Sequence, residues 1–252
     1  MKKIILLCFI VLSLFSSDYR YRKYDHVKKF YEPLIEKTID LGLKYNVPPS
    51  AILAIAGVES GYGRGYVAKI SGNILSLGTN KGEKELPALY LPNIKNPYKI
   101  IYNPKEIAKY KKNELRYKKR ARSRKKDYRP NPYAGTSQNL QYFDEHPKEK
   151  VKANLACIED FCKIWISYKN RFEPFQKARR DLDLLVKTKG QDTIFERITA
   201  EQFINNIGGK KNSFNYRKTW PKKVITVMKN TGLVELVQDI RKGDDFNKAW
   251  NR

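Results

Sequence analysis

One carboxylate, Glu59, stands at the end of an apolar segment and is the residue whose setting most strongly suggests chemistry. Residues 51–58 are apolar or glycine, and a spacing of i, i+3, i+4 and i+7 places Glu59 on the helical face of Ile52 and Ile55. Burial on that face and the negative end of the helix dipole both favour the protonated carboxyl. Such a carboxyl can donate a proton to the leaving oxygen of a glycosidic bond. The alternative is that Glu59 points into solvent at a frayed helix end.

The residues on both sides of this carboxylate form a longer pattern. A Val-Pro-Pro turn (47–49) precedes the helix, the sequence Glu-Ser-Gly-Tyr-Gly (59–63) ends it, and Gly-Asn-Ile-Leu-Ser-Leu-Gly (72–78) follows. This pattern resembles the glucosaminidase family, which includes bacterial autolysins and the muramidase parts of flagellar rod-cap proteins. The resemblance extends over about residues 30–238, and its clear motifs are confined to 47–78.

The resemblance implies a lysozyme-like α+β fold, mainly α, with a helical domain and a small β lobe. It implies an endo-β-N-acetylglucosaminidase that cleaves the glycan strand of peptidoglycan, with Glu59 as the general acid. The family also has a tyrosine ahead of its final helix, and Tyr216 is the best match, although the usual Tyr-Ala-Thr-Asp-Pro sequence is absent. The residues expected to bind substrate are Ser60, Tyr62, Asn73 and Trp220.

A second catalytic carboxylate is sometimes supplied by the β lobe in this family. Glu83 and Glu85 are the candidates nearest to the motif, and the alternative is that both are ordinary loop charges. A different mechanism needs no protein base, because the N-acetyl group of the substrate can attack the anomeric carbon while Tyr216 positions it.

Two other functions stay open. A lytic transglycosylase acts on the same glycan strand and also uses a Glu-Ser helix end. That group usually has a Gly-Leu-Met-Gln segment soon after the glutamate, and residues 73–78 are Asn-Ile-Leu-Ser-Leu-Gly instead. The third hypothesis, from another class, is a non-catalytic basic protein that binds the cell envelope.

The chain carries a formal net charge of +25 over 252 residues, which predicts an anionic partner. Nucleic acid, an acidic membrane surface and an anionic wall polymer all satisfy that charge. A basic start (1–3) and a short apolar run (4–15) predict a secretory signal peptide over residues 1–17. The alternative is a short uncleaved anchor. We therefore expect export to the periplasm, the cell envelope or the medium, with peptidoglycan as the partner and no nucleic acid.

A basic run at about residues 105–130 lies inside the predicted catalytic domain, residues 18–252. Its functional interpretation is retention on an anionic polymer of the cell envelope, and its simpler interpretation is a solvated insertion. We expect the first part of the run to be a charged helix and the last part to be a loop. The turn-rich stretch before it, residues 72–103, predicts the β lobe.

Apolar residues at helical spacing predict the helices of the larger lobe. They are expected at 26–45, 51–60, 151–168, 173–188, 200–207 and 220–239.

His26 and His146 are the only histidines, which argues against a histidine triad or a zinc centre. Cys157 and Cys162 are five residues apart on a predicted helix, too far for a disulfide, and are expected to be core thiols. We expect a monomer with no cofactor and no metal ion.

Overall fold

The computed structural model describes residues 19–94, 99–120 and 124–252. The predicted signal peptide, residues 1–17, lies outside the described residues, as do positions 121–123 of the basic run. The structure is 55% helix and 8% strand, which confirms the predicted α+β, mainly α fold class with a small sheet.

The helices follow the chain in this order: α1 Asp25–Tyr31, α2 Ile35–Tyr45, α3 Pro49–Ser60, α4 Tyr66–Ser71, α5 Pro104–Ile107, α6 Tyr142–Glu145, α7 Pro147–Asp160, α8 Glu173–Lys189, α9 Arg197–Ile207, α10 Trp220–Thr231, α11 Leu233–Arg241 and α12 Phe246–Trp250. The strands are β1 Leu89–Ile94, β2 Lys99–Ile100 and β3 Leu115–Arg120. They form an antiparallel sheet in the order β2-β1-β3.

Helix α3 is the centre of the helical lobe. Every residue from Pro49 to Gly57 is buried, and the helix packs against α2, α9, α10 and α11. Its sequence carries no charge before Glu59, and Gly61 ends it in the left-handed conformation with φ of +57°. The apolar face predicted for Ile52 and Ile55 is buried, and neighbouring helices bury the other faces of α3 as well. Its last turn, which carries Glu59, is less deeply buried than the rest.

Two of the predicted helices are divided by turns. The helix predicted at 26–45 is two helices, α1 and α2, separated by a turn that contains Pro33, since proline has no N–H with which to continue the helical hydrogen bonds. The helix predicted at 220–239 divides into α10 and α11 at Gly232, whose φ is +62°. Short helix α4 was not predicted.

The other predicted helices are confirmed with shifted ends. The helix predicted at 151–168 begins earlier, as α7, and its end is a single π-helical turn, Phe161–Trp165. The helices predicted at 173–188 and 200–207 are present as α8 and α9. These two pack against each other and against the 3-10 turn that joins them.

The β lobe is larger than the sequence predicted. Residues 72–103 contain β1 and β2, as expected, but the third strand comes from the basic run. The expected charged helix is wrong, because β3 pairs along the whole of β1, from Leu89 opposite Arg120 to Ile94 opposite Leu115. Among the described residues of the run, the helical parts are α5 at its start and a 3-10 turn at Lys112–Glu114. Backbone pairing to the largely buried strand β1 therefore determines the conformation of these charged residues.

Both cysteines of the described region are free and fully buried, which confirms the expectation of core thiols. Burial raises the pKa of Cys157 to about 12 and also raises the pKa of Cys162. Within residues 19–94, 99–120 and 124–252 no group of three His, Cys, Asp or Glu side chains could hold a metal ion. In the same ranges no helix is long and apolar enough to cross a bilayer.

Candidate active site

Glu59 lies in the last turn of α3, where the start of α10 meets it. The indole Nε1 of Trp220 donates a hydrogen bond to Glu59 Oε1 at 2.7 Å. Trp220 itself is only 4% exposed, so this contact is shielded from solvent. A Cβ at Gly208 would lie 2.2 Å from the indole, so a glycine is required there for the ring to reach Glu59. The polar atom of Trp220 is thus directed at the carboxylate, and the substrate-binding role expected for this residue stays a prediction.

Ser60 shapes the turn that follows Glu59. Its hydroxyl donates to the carbonyl oxygen of Ala56 at 2.6 Å and accepts from the backbone N–H of Gly63 at 2.7 Å. The side chain is 4% exposed. Its hydrogen bonds end the helix and fold the glycine-rich turn, and its expected role in substrate binding stays a prediction.

Asn73 joins the motif to the β lobe. Its Nδ2 donates to the carbonyl oxygens of Leu77 and Lys126, each at 2.9 Å, and its Oδ1 accepts from the backbone N–H of Leu77 at 2.8 Å. Asn73 is 1% exposed, and its expected contact with substrate stays a prediction. In the structure this residue holds the segment that contains Lys125 and Lys126 against the loop after α4.

Lys125 is the unexpected member of the site. Its ammonium group donates to the carbonyl oxygen of Ser76. Burial lowers the pKa of Lys125, while the nearby charge of Glu59 acts in the opposite direction and raises it. The positive charge of this partly buried side chain therefore interacts with the charge of the Glu59 carboxylate. No motif in the sequence indicated this role, since Lys125 stands among many lysines of the basic run.

Glu83 belongs to a separate ion network in the β lobe. Its carboxylate contacts Lys126 Nζ at 2.6 Å and accepts from the backbone N–H of Asn80 at 2.7 Å. Lys126 also contacts Asp160 at 2.5 Å. Burial raises the pKa of Glu83, but the hydrogen bond from Asn80 and the charge of Lys126 lower it more, so the net shift is downward. Glu85 pairs through its backbone with Lys126 and is half-buried.

A cleft of about 930 Å³ runs between the two lobes. One wall is the loop at residues 78–81 with Arg124, and the other wall is residues 163–172. A row of aromatic rings joins this cleft to the carboxylate, ending at the indole that donates to Glu59. Trp165 lines the cleft, its ring centroid lies 6.1 Å from that of Phe214, and Phe214 lies 5.5 Å from Trp220.

The remaining expected site residues are more loosely placed. Tyr216 lies in the loop before α10 and is 71% exposed, so its catalytic role stays a prediction. Tyr62 is half-buried with φ of +57°, and its ring packs edge-on against His26 and Phe30. Burial, with the nearby hydroxyl of Tyr21, raises the pKa of Tyr62 to about 12. The hydroxyl therefore stays protonated at neutral pH.

Comparison with known proteins adds no relative: no family model, no curated protein and no solved structure matches this chain. The site is therefore interpreted from its own geometry. A half-buried carboxyl has one oxygen held by an indole N–H, and the charge of Lys125 interacts with it. Packed aromatic rings lie between this carboxyl and the interlobe cleft. Such a site can exchange a proton with a group of a bound ligand.

Proposed function

We propose that the protein is a peptidoglycan hydrolase that cleaves the glycan strand at N-acetylglucosamine linkages, as an endo-β-N-acetylglucosaminidase. The single observation that carries the proposal is the hydrogen bond from Trp220 to Glu59 at the end of a buried helix. The resemblance of residues 47–78 to the glucosaminidase family supports the same assignment. The interlobe cleft of about 930 Å³ is large enough for sugar units of a glycan strand.

In this proposal Glu59 protonates the oxygen of the leaving sugar. Trp220 holds Oε1, so that Oε2 is the oxygen that carries and transfers the proton. After the transfer Glu59 is negatively charged. The ammonium of Lys125 and the indole N–H then stabilise the carboxylate, which lowers the energy of the proton-transfer step.

The second step of hydrolysis needs a nucleophile. Glu83 is bound to Lys126 and to the backbone of Asn80, so we assign it a structural role in the β lobe. We propose that the N-acetyl group of the substrate attacks the anomeric carbon, as in glycosidases that lack a protein nucleophile. Glu59 then accepts a proton from the water that completes the reaction. Tyr216 and Glu85 remain candidates for positioning the acetamido group or the water.

The experiment is a digest of purified peptidoglycan by the wild-type protein, with the products identified by mass spectrometry. A new reducing-end N-acetylglucosamine is the expected product. Anhydro-muropeptides would instead identify a lytic transglycosylase, and the absence of any product would support the non-catalytic alternative. A protein-free incubation is the blank for spontaneous release.

The exposed face of strand β3 supports a role in envelope binding in addition to catalysis. Strand β3 is an edge strand of the sheet, and Tyr117 on its exposed face packs against Tyr90 of β1 with ring centroids 5.3 Å apart. These rings are 49% and 66% exposed, and Arg116, Lys118 and Lys119 on β3 are exposed as well. We propose that this surface, called the basic sheet edge below, retains the exported protein on an anionic envelope polymer.

A further inference from the structure

The interlobe cleft carries cations on both of its walls. Lys81 and Arg124 lie on one wall, and Lys163, Lys169 and Arg171 lie on the other. All five residues are exposed. Among the described residues that line the cleft, none is acidic. Like charges on facing walls raise the positive potential inside a cleft, because the protein around them screens less than water does. An uncharged sugar offers nothing to balance that potential.

Carboxylates lie near the cleft, but each is already paired with a cation that does not line it. They are within three residues of a lining residue or interact with one. With their partners, at N–O distances of 2.5 to 3.5 Å, they are Glu83 with Lys126, Asp127 with Arg129, Glu159 with Lys44, Asp160 with Lys126, Glu173 with Arg180 and Asp183 with Arg179. In the part of the chain that the structure describes, the five lining cations form no ion pair of their own. Their charge is therefore available to a ligand.

The backbone of both walls is held in place by hydrogen bonds. Asn170 Nδ2 donates to the carbonyl oxygen of Trp165 at 2.9 Å, and its Oδ1 accepts from the backbone N–H of Phe172 at 2.9 Å. This wall begins with the π-helical turn that ends at Trp165, and such turns are frequent at functional sites. On the other wall the backbone N–H of Thr79 donates to the carbonyl oxygen of Arg124 at 2.9 Å. The cleft is therefore formed before a ligand binds, which reduces the entropic cost of binding.

The aromatic rings of the cleft are mostly in use within the protein. Trp165 is half-buried and packs edge-on against Phe175, with ring centroids 5.4 Å apart. The guanidinium of Arg171 lies 4.6 Å from the centroid of the Phe172 ring. Tyr168, which is 56% exposed, is the most open of the lining rings. Sites for single-stranded nucleic acid combine a basic groove with several rings on which successive bases stack. This cleft offers the charge without such a series of free rings, which favours a polyanion without bases.

We infer that the interlobe cleft binds a linear phosphodiester polymer without bases, whose charged oxygens contact Arg124, Lys163 and Arg171. Each phosphodiester carries one negative charge and two free oxygens, which suit the planar fork of a guanidinium and the point charge of an ammonium group. The inference goes beyond the proposed function, because binding in the cleft does not depend on catalysis at Glu59. It assigns an anion site in addition to the basic sheet edge.

The probe is an oligomer of glycerol phosphate, which has phosphodiester charges and no bases. It is titrated into the full chain while the indole N–H signals of the three tryptophans are followed by NMR. Trp165 lines the cleft, and Trp250 in α12 is the internal control. The variant Trp165→Phe assigns the signal. We expect the oligomer to shift the Trp165 signal and to leave that of Trp250 unchanged. The affinity should fall as salt rises, because binding releases counterions from the polyanion.

Two triple variants that remove the same charge separate the cleft from the rest of the surface. The cleft variant should weaken binding at Trp165 by roughly tenfold or more, and it should lower the slope of log affinity against log salt by about one for each cation removed. The sheet-edge variant should change the affinity at Trp165 by less than about threefold, since more distant charges are screened. Both should keep the wild-type unfolding midpoint, because all the changed residues are exposed. The cleft variant is Arg124→Gln/Lys163→Gln/Arg171→Gln, and the sheet-edge variant is Arg116→Gln/Lys118→Gln/Lys119→Gln.

Several results would overturn the inference. They are an unmoved Trp165 signal, or an equal loss of affinity in the two triple variants. Polyglutamate with the same number of charges is the carboxylate control, and equal affinity for it would show that the site does not select phosphate. Oligothymidylate with the same number of phosphates is the nucleic-acid control, and tighter binding of it than of the glycerol phosphate oligomer would identify a site that reads bases. Binding is measured without cleavage, so the result is independent of the peptidoglycan digest.

Discussion

The two halves of the basic run differ in how far their cations are exposed to solvent. In β3 the cations Arg116, Lys118 and Lys119 are exposed on an edge strand. In the segment at residues 125–129 the cations are packed into the protein. Lys125 and Lys126 are half-buried, and Arg129 is 3% exposed, with its guanidinium 2.6 Å from Asp127. A run of like charge in a sequence is therefore not one functional unit. Backbone pairing and a single buried carboxylate decide which cations face solvent.

The buried pair of Arg129 and Asp127 is expected to give the largest effect. Arg129→Met leaves the carboxylate without its cation, and it also removes donors to the carbonyl oxygens of Thr136 and Gln138. Breaking one side of a buried ion pair costs about 3–5 kcal/mol. Urea unfolding should show a loss of that size. Arg116→Met, on the exposed strand, should change the free energy of unfolding by less than about 0.5 kcal/mol. Equal losses of unfolding free energy for the two variants would contradict the proposed difference between the buried and the exposed half of the basic run.

Lys125 is expected to matter for activity more than for stability. Its lowered pKa means that the folded state binds the proton less tightly than the unfolded state, so the charged lysine opposes folding at pH values below its folded pKa. Lys125→Met should therefore lower the free energy of unfolding by no more than about 1 kcal/mol, as measured by denaturant unfolding. Its rate of peptidoglycan cleavage should fall by roughly 10², the scale of one lost electrostatic donor.

The control for Lys125→Met is a lysine of the same basic run that lies on the exposed strand. Lys118→Met on β3 should keep the wild-type rate of peptidoglycan cleavage. A variant at 125 that also keeps the wild-type rate would show that this lysine is only structural.

The smallest effect is expected at the basic sheet edge. Changing Arg116, Lys118 and Lys119 to Gln should weaken binding to isolated cell walls by about tenfold or more at low salt, since each cation near an anionic surface contributes about 1 kcal/mol. Wild-type binding should fall as salt rises, because the Debye length shrinks from ~10 Å at 0.1 M to ~3 Å at 1 M. Cleavage of a short soluble glycan should be unchanged. Undiminished wall binding by the triple variant would make β3 a solvated strand without a retention role.

The sequence predicted the fold class and the position of helix α3, because an uncharged segment between a proline turn and a glycine stop has few other structures available. It did not predict β3, since charged residues in an edge strand carry no alternating apolar pattern. The site was only partly predictable. Glu59 and Trp220 were named, but Ser60 and Asn73 bind backbone groups of their own chain, and such internal hydrogen bonds leave no trace in residue spacing. Lys125 was not predicted either, because no motif distinguishes it from the other lysines of the basic run.

The central claim is that Glu59 transfers the proton that breaks the glycan strand. Glu59→Gln keeps the size of the side chain and can still accept the hydrogen bond from Trp220, but it cannot donate an acidic proton. The most direct measurement is the initial rate of reducing-end release from purified peptidoglycan by this variant, with Glu36→Gln on the exposed face of α2 as the control. The account predicts a loss of ~10²–10⁴ for Glu59→Gln, the scale of general acid catalysis, with an unchanged unfolding midpoint and no loss for the control. A folded Glu59→Gln protein that cleaves at the wild-type rate would contradict it.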